Sequence, residues 1–152
     1  MNNIRFSLAL VFLFLPSFAF GSDLENLAQD YYDSWVKTQK PDATKESLSK
    51  YLAFLADDIG HQHLPYDPES TREPDNKEKM LEGMTYYLGS HTKYSSNLKS
   101  VMTGYNLIVI KYSTKSEGIH PQTKEVIKQE YDTVEVLELE SGKIAVIRKY
   151  SE

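Results

Sequence analysis

Apolar residues recur at helical spacing in three segments of the first half of the chain. The first segment covers residues 23–38, with Leu24, Leu27, Ala28, Tyr31, Trp35 and Val36 as its apolar positions. Residues three and four apart share one face of a helix, so this pattern predicts an amphipathic helix. Ser22 and Glu25 have the spacing of a capping box and predict the beginning of the helix.

Two shorter helices are predicted downstream. The second should end near Ala56, and its apolar positions are Leu48, Tyr51, Leu52 and Leu55. The third should begin at Asp75, which is followed three residues later by Glu78, and should end around Gly89. Its apolar face contains Met80, Leu81, Met84, Tyr87 and Leu88.

After residue 92 the spacing of apolar residues changes from helical to alternating. The turn sequences TGYN, GIHPQT and ESGK divide this region into four strands with short connections, which favours an antiparallel sheet. One earlier strand, residues 59–64, precedes the proline-rich loop PYDPESTREPDN. The pattern therefore predicts an α+β domain, with three helices from the N-terminal half packed on one face of a mainly antiparallel sheet.

The long strand of residues 124–139 carries one unexpected charge. The set of residues that shares its less polar face is Ile127, Gln129, Tyr131, Thr133, Glu135, Leu137 and Leu139. A carboxylate on such a face must be paired or protonated, so Glu135 is a candidate site residue. Two alternatives remain open: an ion pair with Arg148 on the next strand, or a β-bulge that turns Glu135 outward.

Composition excludes several classes of function. The 152 residues include 17 basic and 22 acidic side chains, a net charge of −5, which leaves no basic stripe for a nucleic acid. The chain has no cysteine, so a cysteine nucleophile, a thiolate zinc site and a lipid-anchoring cysteine are all excluded. Site chemistry must come from the other polar side chains.

The N-terminal residues 1–21 have the composition of a cleavable secretory signal. Arg5 precedes an apolar run, and Pro16 is followed by the small-residue pattern that ends at Gly21. The alternative is an uncleaved anchor. Cleavage after Gly21 would leave residues 22–152 as one secreted or periplasmic domain that is not attached to a membrane.

His61 and His63 lie two residues apart in the early strand, so they should face the same side of the sheet. Three roles are open for them: metal ligands, with Asp67 or Glu69 as a third ligand, acid/base groups, or polar lining. The run resembles a metal-binding sequence of cupins, but a cupin would not begin with two helices. We therefore expect no metal and no cofactor. His91 and His120 are predicted to be surface residues.

The order of elements resembles a known superfamily. Two helices, a strand, a helix and a four-stranded meander, with FLADDI after the second helix and SGKIAVIRKY in the last hairpin, resemble nuclear-transport-factor-2-like proteins. The SnoaL-like and ketosteroid-isomerase-like branch is the most similar. The resemblance covers residues 23–150 and implies a cone-shaped roll with a curved sheet and a pocket for a small apolar ligand. The superfamily contains isomerases, cyclases, dehydratases, epoxide hydrolases and plain binding domains.

The resemblance also implies positions for a site. The isomerases use a tyrosine in the first helix, an aspartate base in the first strand and a protonated aspartate in the fifth strand. QDYYDSW places Tyr31 at the first position, ADDIGHQH places His63 at the second, and counting back from SGKI places Glu135 at or near the third. The histidine and the longer carboxylate depart from the isomerase pattern, which argues against steroid isomerisation and is closer to the dehydratases.

Such a site would be free of cofactors. A neutral His63 could accept a proton beside a carbonyl group, while Tyr31 and a protonated Glu135 donate hydrogen bonds to the resulting enolate. Aromatic and polar residues should bind the ligand, although packing is the better explanation for any single tyrosine. These predicted ligand-binding residues are Trp35, His61, Tyr87, Tyr112, Tyr131 and Arg148.

The segment NLIVI, residues 106–110, is apolar on both faces, which implies that the outer face of the sheet is covered as well. A homodimer through this face is the expected partner, and a monomer is the alternative. Two functions are therefore predicted from the sequence: an exported acid/base enzyme acting on a small carbonyl compound, or an exported binding domain without catalysis.

Overall fold

The computed structural model describes residues 20–151, which form three helices and five strands. The elements in chain order are α1 (Phe20–Gln39), α2 (Lys45–Leu52), β1 (Leu55–Leu64), α3 (Asn76–Tyr86), β2 (His91–Gly104), β3 (Leu107–Ile119), β4 (Val126–Glu140) and β5 (Lys143–Ser151). This number and order of elements confirm the prediction from the apolar spacing. The predicted signal segment lies outside the described residues except for its last two positions.

The five strands form one sheet with the order β1-β5-β4-β3-β2. β1 runs parallel to β5, while the other three pairs are antiparallel. Helix α1 packs against β2 and β3, and α3 packs against β1. The helices thus cover one face of the sheet and make the α+β, cone-shaped roll that was predicted.

The core lies between α1, α2 and the inner face of the sheet. Alternate residues of β3 are buried, as expected for a strand with one face on a core. The buried apolar residues are Ala28, Tyr31, Tyr32, Tyr51, Leu52, Leu55, Ile59, Ile108, Ile110, Tyr112, Leu137, Ile144 and Ile147. Four of these are tyrosines, whose hydroxyl groups need hydrogen-bond partners inside the molecule.

The boundaries of α1 and α2 differ from the prediction. Because α1 already begins at Phe20, Ser22 lies inside the helix and does not cap it. Helix α2 instead has a capping box, in which Thr44 and Ser47 exchange hydrogen bonds. It ends at Leu52 and not at Ala56, since Leu55 pairs with Ile144 and opens β1. The spacing of these leucines fits either a helix or a buried strand, so only strand pairing decides.

Helix α3 is the least buried of the three helices. It ends at Tyr86, before the predicted end at Gly89, and none of its side chains is fully buried. Met80 and Met84 pack against the core, as predicted for their face, whereas Leu81 is exposed. Helix α3 is therefore a loosely packed wall of the domain. No helix of residues 20–151 is long and apolar enough to cross a membrane.

One tight turn and one close backbone contact fix the positions of the strand ends. Ser141 and Gly142 both have positive φ, 50° and 77°, as a two-residue hairpin between Glu140 and Lys143 requires. At the other end of the sheet, a Cβ added to Gly118 would lie 2.8 Å from the carbonyl oxygen of Ser90. Glycine therefore lets the end of β3 contact the segment that follows α3.

The outer face of the sheet carries part of the NLIVI segment. Leu107 is 36% exposed and Val109 is half-buried, while Ile108 and Ile110 point inward and are fully buried. The homodimer through this face stays a prediction.

Candidate functional site

A cavity of about 400 Å³ lies between α1, α3 and the inner faces of β1, β4 and β5. We call it the main cavity. Its walls are mostly aromatic, imidazole and thioether side chains, and its lining includes Trp35, Tyr51, His61, His63, Met80, Met84, Tyr87, His91, Gln129, Tyr131 and Lys149. This volume and composition are typical of a small-molecule site.

A hydrogen-bonded cluster of three tyrosines and one glutamate lies beneath the main cavity. The Oη atom of Tyr112 donates to Oε1 of Glu135 at 2.6 Å, and Oη of Tyr31 donates to Oε2 at 3.0 Å. Oη of Tyr51 lies 3.2 Å from that of Tyr31. We call Tyr31, Tyr51, Tyr112 and Glu135 the tyrosine–glutamate cluster. Glu135 is only 3% exposed, so these bonds offset the loss of its hydration.

The tyrosines of this cluster are protonated donors. Burial, together with the negative charge of Glu135, raises the pKa of Tyr31 and Tyr112 well above the ordinary value for tyrosine. Burial likewise raises the pKa of Tyr51. Each hydroxyl group therefore keeps its proton at neutral pH and can stabilise the carboxylate.

Lys149 connects this cluster to the main cavity. It pairs with Glu135 in the register between β4 and β5, and its Nζ atom lies 3.4 Å from Oε1 of Glu135. The same Nζ lies 4.5 Å from the centroid of the Trp35 ring, which is the geometry of a cation–π contact. Because Lys149 also lines the cavity, its ammonium group is the cationic end of the site.

Sequence reasoning missed Lys149. The residues Ile144, Ala145, Val146 and Ile147 of β5 are all buried, so alternation does not reveal which face is inward. Proximity in space to Glu135 would have identified the lysine, but it requires the strand register. Within the chain itself the only signal is that Lys149 has the same parity as the buried Ile147.

His61 and His63 form one wall of the main cavity, and we call this pair the histidine wall. Their ring centroids are 6.4 Å apart, which confirms that the two side chains face the same way. Nε2 of His63 lies 3.4 Å from Oγ of Ser151, which in turn lies 3.2 Å from Oγ1 of Thr133. A network of neutral groups therefore holds His63 at the end of β5.

Both imidazoles of the histidine wall favour the neutral form. Burial lowers the pKa of His61, and the nearby charge of Lys149 adds to this effect. For His63, burial and then Lys149 and His61 lower the pKa below 6.5. Neutral imidazole can accept a proton, so the electrostatics of the wall suit a general base.

The predicted site residues separate into three groups. Those that line the main cavity are Trp35, His61, His63, Tyr87 and Tyr131. Tyr31, Tyr112 and Glu135 meet in the tyrosine–glutamate cluster, one layer below the cavity lining. The third group is Arg148 alone, which points to the other face of the sheet.

Of the two alternatives for Glu135, the ion pair with Arg148 does not form. Nε of Arg148 donates to Oε1 of Glu138 at 2.7 Å, and its Nη1 contacts Gln62 and Ser70. Consecutive residues of a strand point to opposite faces, so burying Lys149 forces Arg148 outward. No β-bulge turns Glu135 outward either, since the register shift in β4 lies beyond it, at Glu138/Leu139.

His91 also differs from its prediction as a surface residue. It is half-buried, lines the main cavity, and its Nδ1 lies 2.8 Å from the carbonyl oxygen of Gln39. The start of β2 thus contacts the end of α1, a long-range contact that periodicity cannot show. His120 lies in the turn between β3 and β4, where its Nδ1 accepts hydrogen bonds from the backbone of Gln122 and Thr123.

The candidate metal ligands do not converge. Asp67 pairs with His63 through backbone hydrogen bonds of 2.7 and 2.8 Å, not through its side chain. Across residues 20–151, no cluster of three or more histidine or acidic side chains could hold a metal ion. The chemistry available to the main cavity is therefore hydrogen bonding, charge stabilisation by Lys149 and proton transfer by imidazole.

Comparison of structures finds solved proteins with a similar fold, whereas comparison of sequences finds no match. No protein-family profile matches the sequence, and no curated protein matches it significantly. A candidate SnoaL-like polyketide cyclase from Shewanella putrefaciens CN-32 superimposes with a TM-score of 0.65 and 13% identity, covering 85% of this chain and 89% of the other.

Two further solved structures cover nearly as much of the chain. A ketosteroid isomerase-like protein from Erwinia carotovora has a TM-score of 0.57 at 14% identity and covers 86% of this chain and 94% of its own. An LEH-like epoxide hydrolase from M. tuberculosis has a TM-score of 0.58 at 11% identity and covers 84% of each chain. The chain therefore shares its fold with SnoaL-like, ketosteroid isomerase-like and epoxide hydrolase-like proteins, as the resemblance implied.

Proposed function

We propose that this SnoaL-like domain binds a small, largely apolar molecule in the main cavity. The observation that carries the proposal is the cavity itself, about 400 Å³ in volume, with Trp35, Met80 and Met84 as apolar walls and Lys149 as the polar anchor. Apolar walls supply affinity through burial, and one convergent polar group orients the ligand. The fold neighbours include cyclase-like, isomerase-like and epoxide hydrolase-like proteins, which supports a function that involves a small molecule.

Trp35 offers a direct test because it is the only tryptophan of the chain and lines the main cavity. Small molecules that copurify with the protein from its native host should be identified by mass spectrometry and titrated back onto ligand-free protein. We expect a saturable change in tryptophan fluorescence. The Met84→Trp variant should weaken binding by filling the cavity, while Met102→Trp, at an exposed site of β2, should not. Because each variant adds a second tryptophan, calorimetry measures their binding. Absence of any copurifying or saturating ligand would contradict the proposal.

A second candidate function is proton abstraction next to a carbonyl group. It is favoured by the histidine wall, where two imidazoles with lowered pKa lie beside the ammonium group of Lys149. In this reaction His63 would accept the proton, and Lys149 would stabilise the enolate oxygen. Tyr31 and Glu135 then act as positioning residues, because Glu135 contacts Lys149 and Tyr31 donates to Glu135.

Deuterium exchange tests this chemistry without knowledge of the natural substrate. Cyclohexanone in D₂O should lose its α-proton signals in the NMR spectrum faster with the protein than with buffer alone. His63→Gln should reduce the added rate by about 10²-fold, the usual contribution of a general base. His120→Gln, in the β3–β4 turn, is the matched control and should retain the rate. If the wild type gives no exchange above buffer with any carbonyl ligand that binds, the domain is a binding protein.

Export is part of the proposal and rests on residues 1–21 alone. An apolar run after Arg5 and small residues up to Gly21 support it. The N-terminus and mass of the protein recovered from its native host would test cleavage. A full-length chain retained in the cell would contradict export and would leave the binding function unaffected.

A further inference from the structure

Lys149 is a buried cation that faces the main cavity, and some of its N–H groups have no acceptor within the described residues. It is only 6% exposed, yet it lines the main cavity. An ammonium group has three N–H donors, and Lys149 has one contact with an acidic oxygen, at 3.4 Å, with no closer partner among residues 20–151. That distance is longer than an ordinary hydrogen bond. At least two of its donors are therefore available to a ligand.

Glu135 does not supply acceptors for the remaining N–H groups of Lys149. Each of its two carboxylate oxygens already accepts a hydrogen bond from a tyrosine, and the carboxylate lies below the cavity lining. Burial of a charge is unfavourable unless hydrogen bonds satisfy it. In the Lys149–Glu135 pair, both carboxylate oxygens of Glu135 have hydrogen-bond donors. The ammonium group of Lys149, which faces the cavity, lacks acceptors for most of its N–H groups.

The rest of the main cavity carries no competing charge. Of its lining residues in the described part of the chain, Lys149 is the only one with a permanent charge, and none is acidic. Other polar groups in its lining include the imidazoles of His61 and His63 and the hydroxyl group of Tyr131, each of which can donate one hydrogen bond. A negatively charged ligand group would therefore meet donors and no acidic side chain among these residues.

A second, smaller cavity of about 230 Å³ adjoins the main one, and we call it the outer cavity. The two share Tyr87, Ser90, His91 and Gln129 in their linings. The outer cavity contains no charged residue within the described chain and ends at partly exposed Ile119 and Ile127. The main cavity is therefore cationic at Lys149 and largely apolar along Trp35, Met80 and Met84, while the adjoining outer cavity has both polar and apolar walls.

We propose that the ligand of this domain is an amphipathic carboxylate, whose carboxylate group binds Lys149 and whose apolar part lies against Trp35, Met80 and Met84 in the main cavity. This inference rests on the proposed binding function and specifies the chemical class of its ligand. A carboxylate supplies the acceptor oxygens that Lys149 lacks, through charge-assisted hydrogen bonds. The aromatic and thioether walls accommodate the apolar part.

The test compares octanoate with octan-1-ol, two probes of equal chain length that differ in their head groups. Isothermal titration calorimetry with the wild-type protein should show octanoate binding at least about tenfold more tightly, as expected for one charge-assisted hydrogen bond. This comparison needs no variant and is unaffected by folding defects. Stronger binding of octanoate than of hexanoate would support burial of the apolar part in the cavity.

Lys149→Met should abolish the preference for octanoate while octan-1-ol still binds. Arg148→Met is the matched control, because it removes a cation from the neighbouring position on the opposite face. It should keep the preference. Circular dichroism and thermal unfolding verify that each variant is folded.

The outcomes separate the two proposals. Equal or tighter binding of octan-1-ol by the wild type would overturn the carboxylate inference and leave small-molecule binding intact. Binding of neither probe, with no other saturating ligand, would overturn both. Loss of the preference in Arg148→Met but not in Lys149→Met would also overturn the inference, since it would move the anion site to the outer face.

Discussion

The tyrosine–glutamate cluster and the histidine wall are two polar regions on either side of Lys149, and they differ in where their hydrogen bonds go. In the cluster, Tyr31 and Tyr112 donate to Glu135, so every strong polar group has a partner inside the protein. In the histidine wall, the imidazoles of His61 and His63 face the main cavity, where they have capacity for a ligand. The cluster therefore contributes to stability, whereas in the proposed function the histidine wall and Lys149 contact the ligand.

Removal of Glu135 should have the largest effect on stability. Glu135→Gln leaves Lys149 as a buried cation without an anionic partner, which should lower the free energy of unfolding by about 3 kcal/mol. Urea denaturation followed by circular dichroism measures this change. A loss below that of a surface substitution would show that the cluster is not the stabilising region.

The matched control for this substitution is Glu138→Gln on the outer face of the same strand. Glu138 pairs with Arg148 at 2.7 Å, but both side chains are about a third or more exposed. Solvent screens such a pair, so the loss should stay below about 1 kcal/mol. The two glutamates differ chiefly in burial, which makes their difference a measure of the inner pair.

Two neighbouring tyrosines of α1 test the cluster at a finer level. Tyr31→Phe removes a donor to the buried carboxylate of Glu135 and should lower stability by about 2 kcal/mol. Tyr32→Phe removes a hydrogen bond to the neutral Oγ of Ser96 and should lower it by about 1 kcal/mol. Thermal unfolding of the two variants under one condition measures the difference. The reverse order would argue that Tyr31 contributes packing only.

Removing a donor from the cluster should act on ligand binding only indirectly. Because Tyr31 does not line the main cavity, Tyr31→Phe should change the affinity for octanoate less than Lys149→Met does. Calorimetry with the same probe checks the order. A larger loss in Tyr31→Phe would place the hydroxyl in contact with the ligand.

The histidine wall should have a smaller effect on the free energy of unfolding, and this effect should depend on pH. Burial lowers the pKa of His61, His63 and His91 in the folded state, whereas the unfolded chain keeps the ordinary value of 6.5. As pH falls below about 6.5, the unfolded state binds more protons, so the free energy of unfolding should decrease. Above that pH these histidines are neutral in both states and contribute no slope.

Urea denaturation between about pH 7 and pH 5.5, above the range in which most carboxylates titrate, should reveal this slope. His61→Gln should reduce it, because His61 is the most deeply buried of the three imidazoles. NMR titration of the imidazole protons gives an independent value for each pKa. A pKa for His61 above 6.5 would contradict the desolvated position of its ring.

Much of the fold followed from local pattern. The change from helical to alternating spacing located all three helices and the four-stranded meander, because periodicity depends on which side chains face the core. The boundary between α2 and β1 did not follow, since Leu52 and Leu55 suit either element until Leu55 pairs with Ile144. The wide apolar face expected of α3 was reduced in the structure to Met80 and Met84 packed against the core.

The sequence by itself determined that Glu135 lies on the less polar face of its strand pattern and that His61 and His63 share a face, because alternation along a strand is a local property of the backbone. Only the tertiary structure decided what these groups contact. The partner of Glu135 is set by the register of β4 and β5, and that register selects Lys149 and turns Arg148 outward. Likewise, His91 enters the cavity wall only because β2 begins against the end of α1. The site is formed by contacts between residues far apart in sequence. Such contacts cannot be inferred from the local spacing of apolar residues.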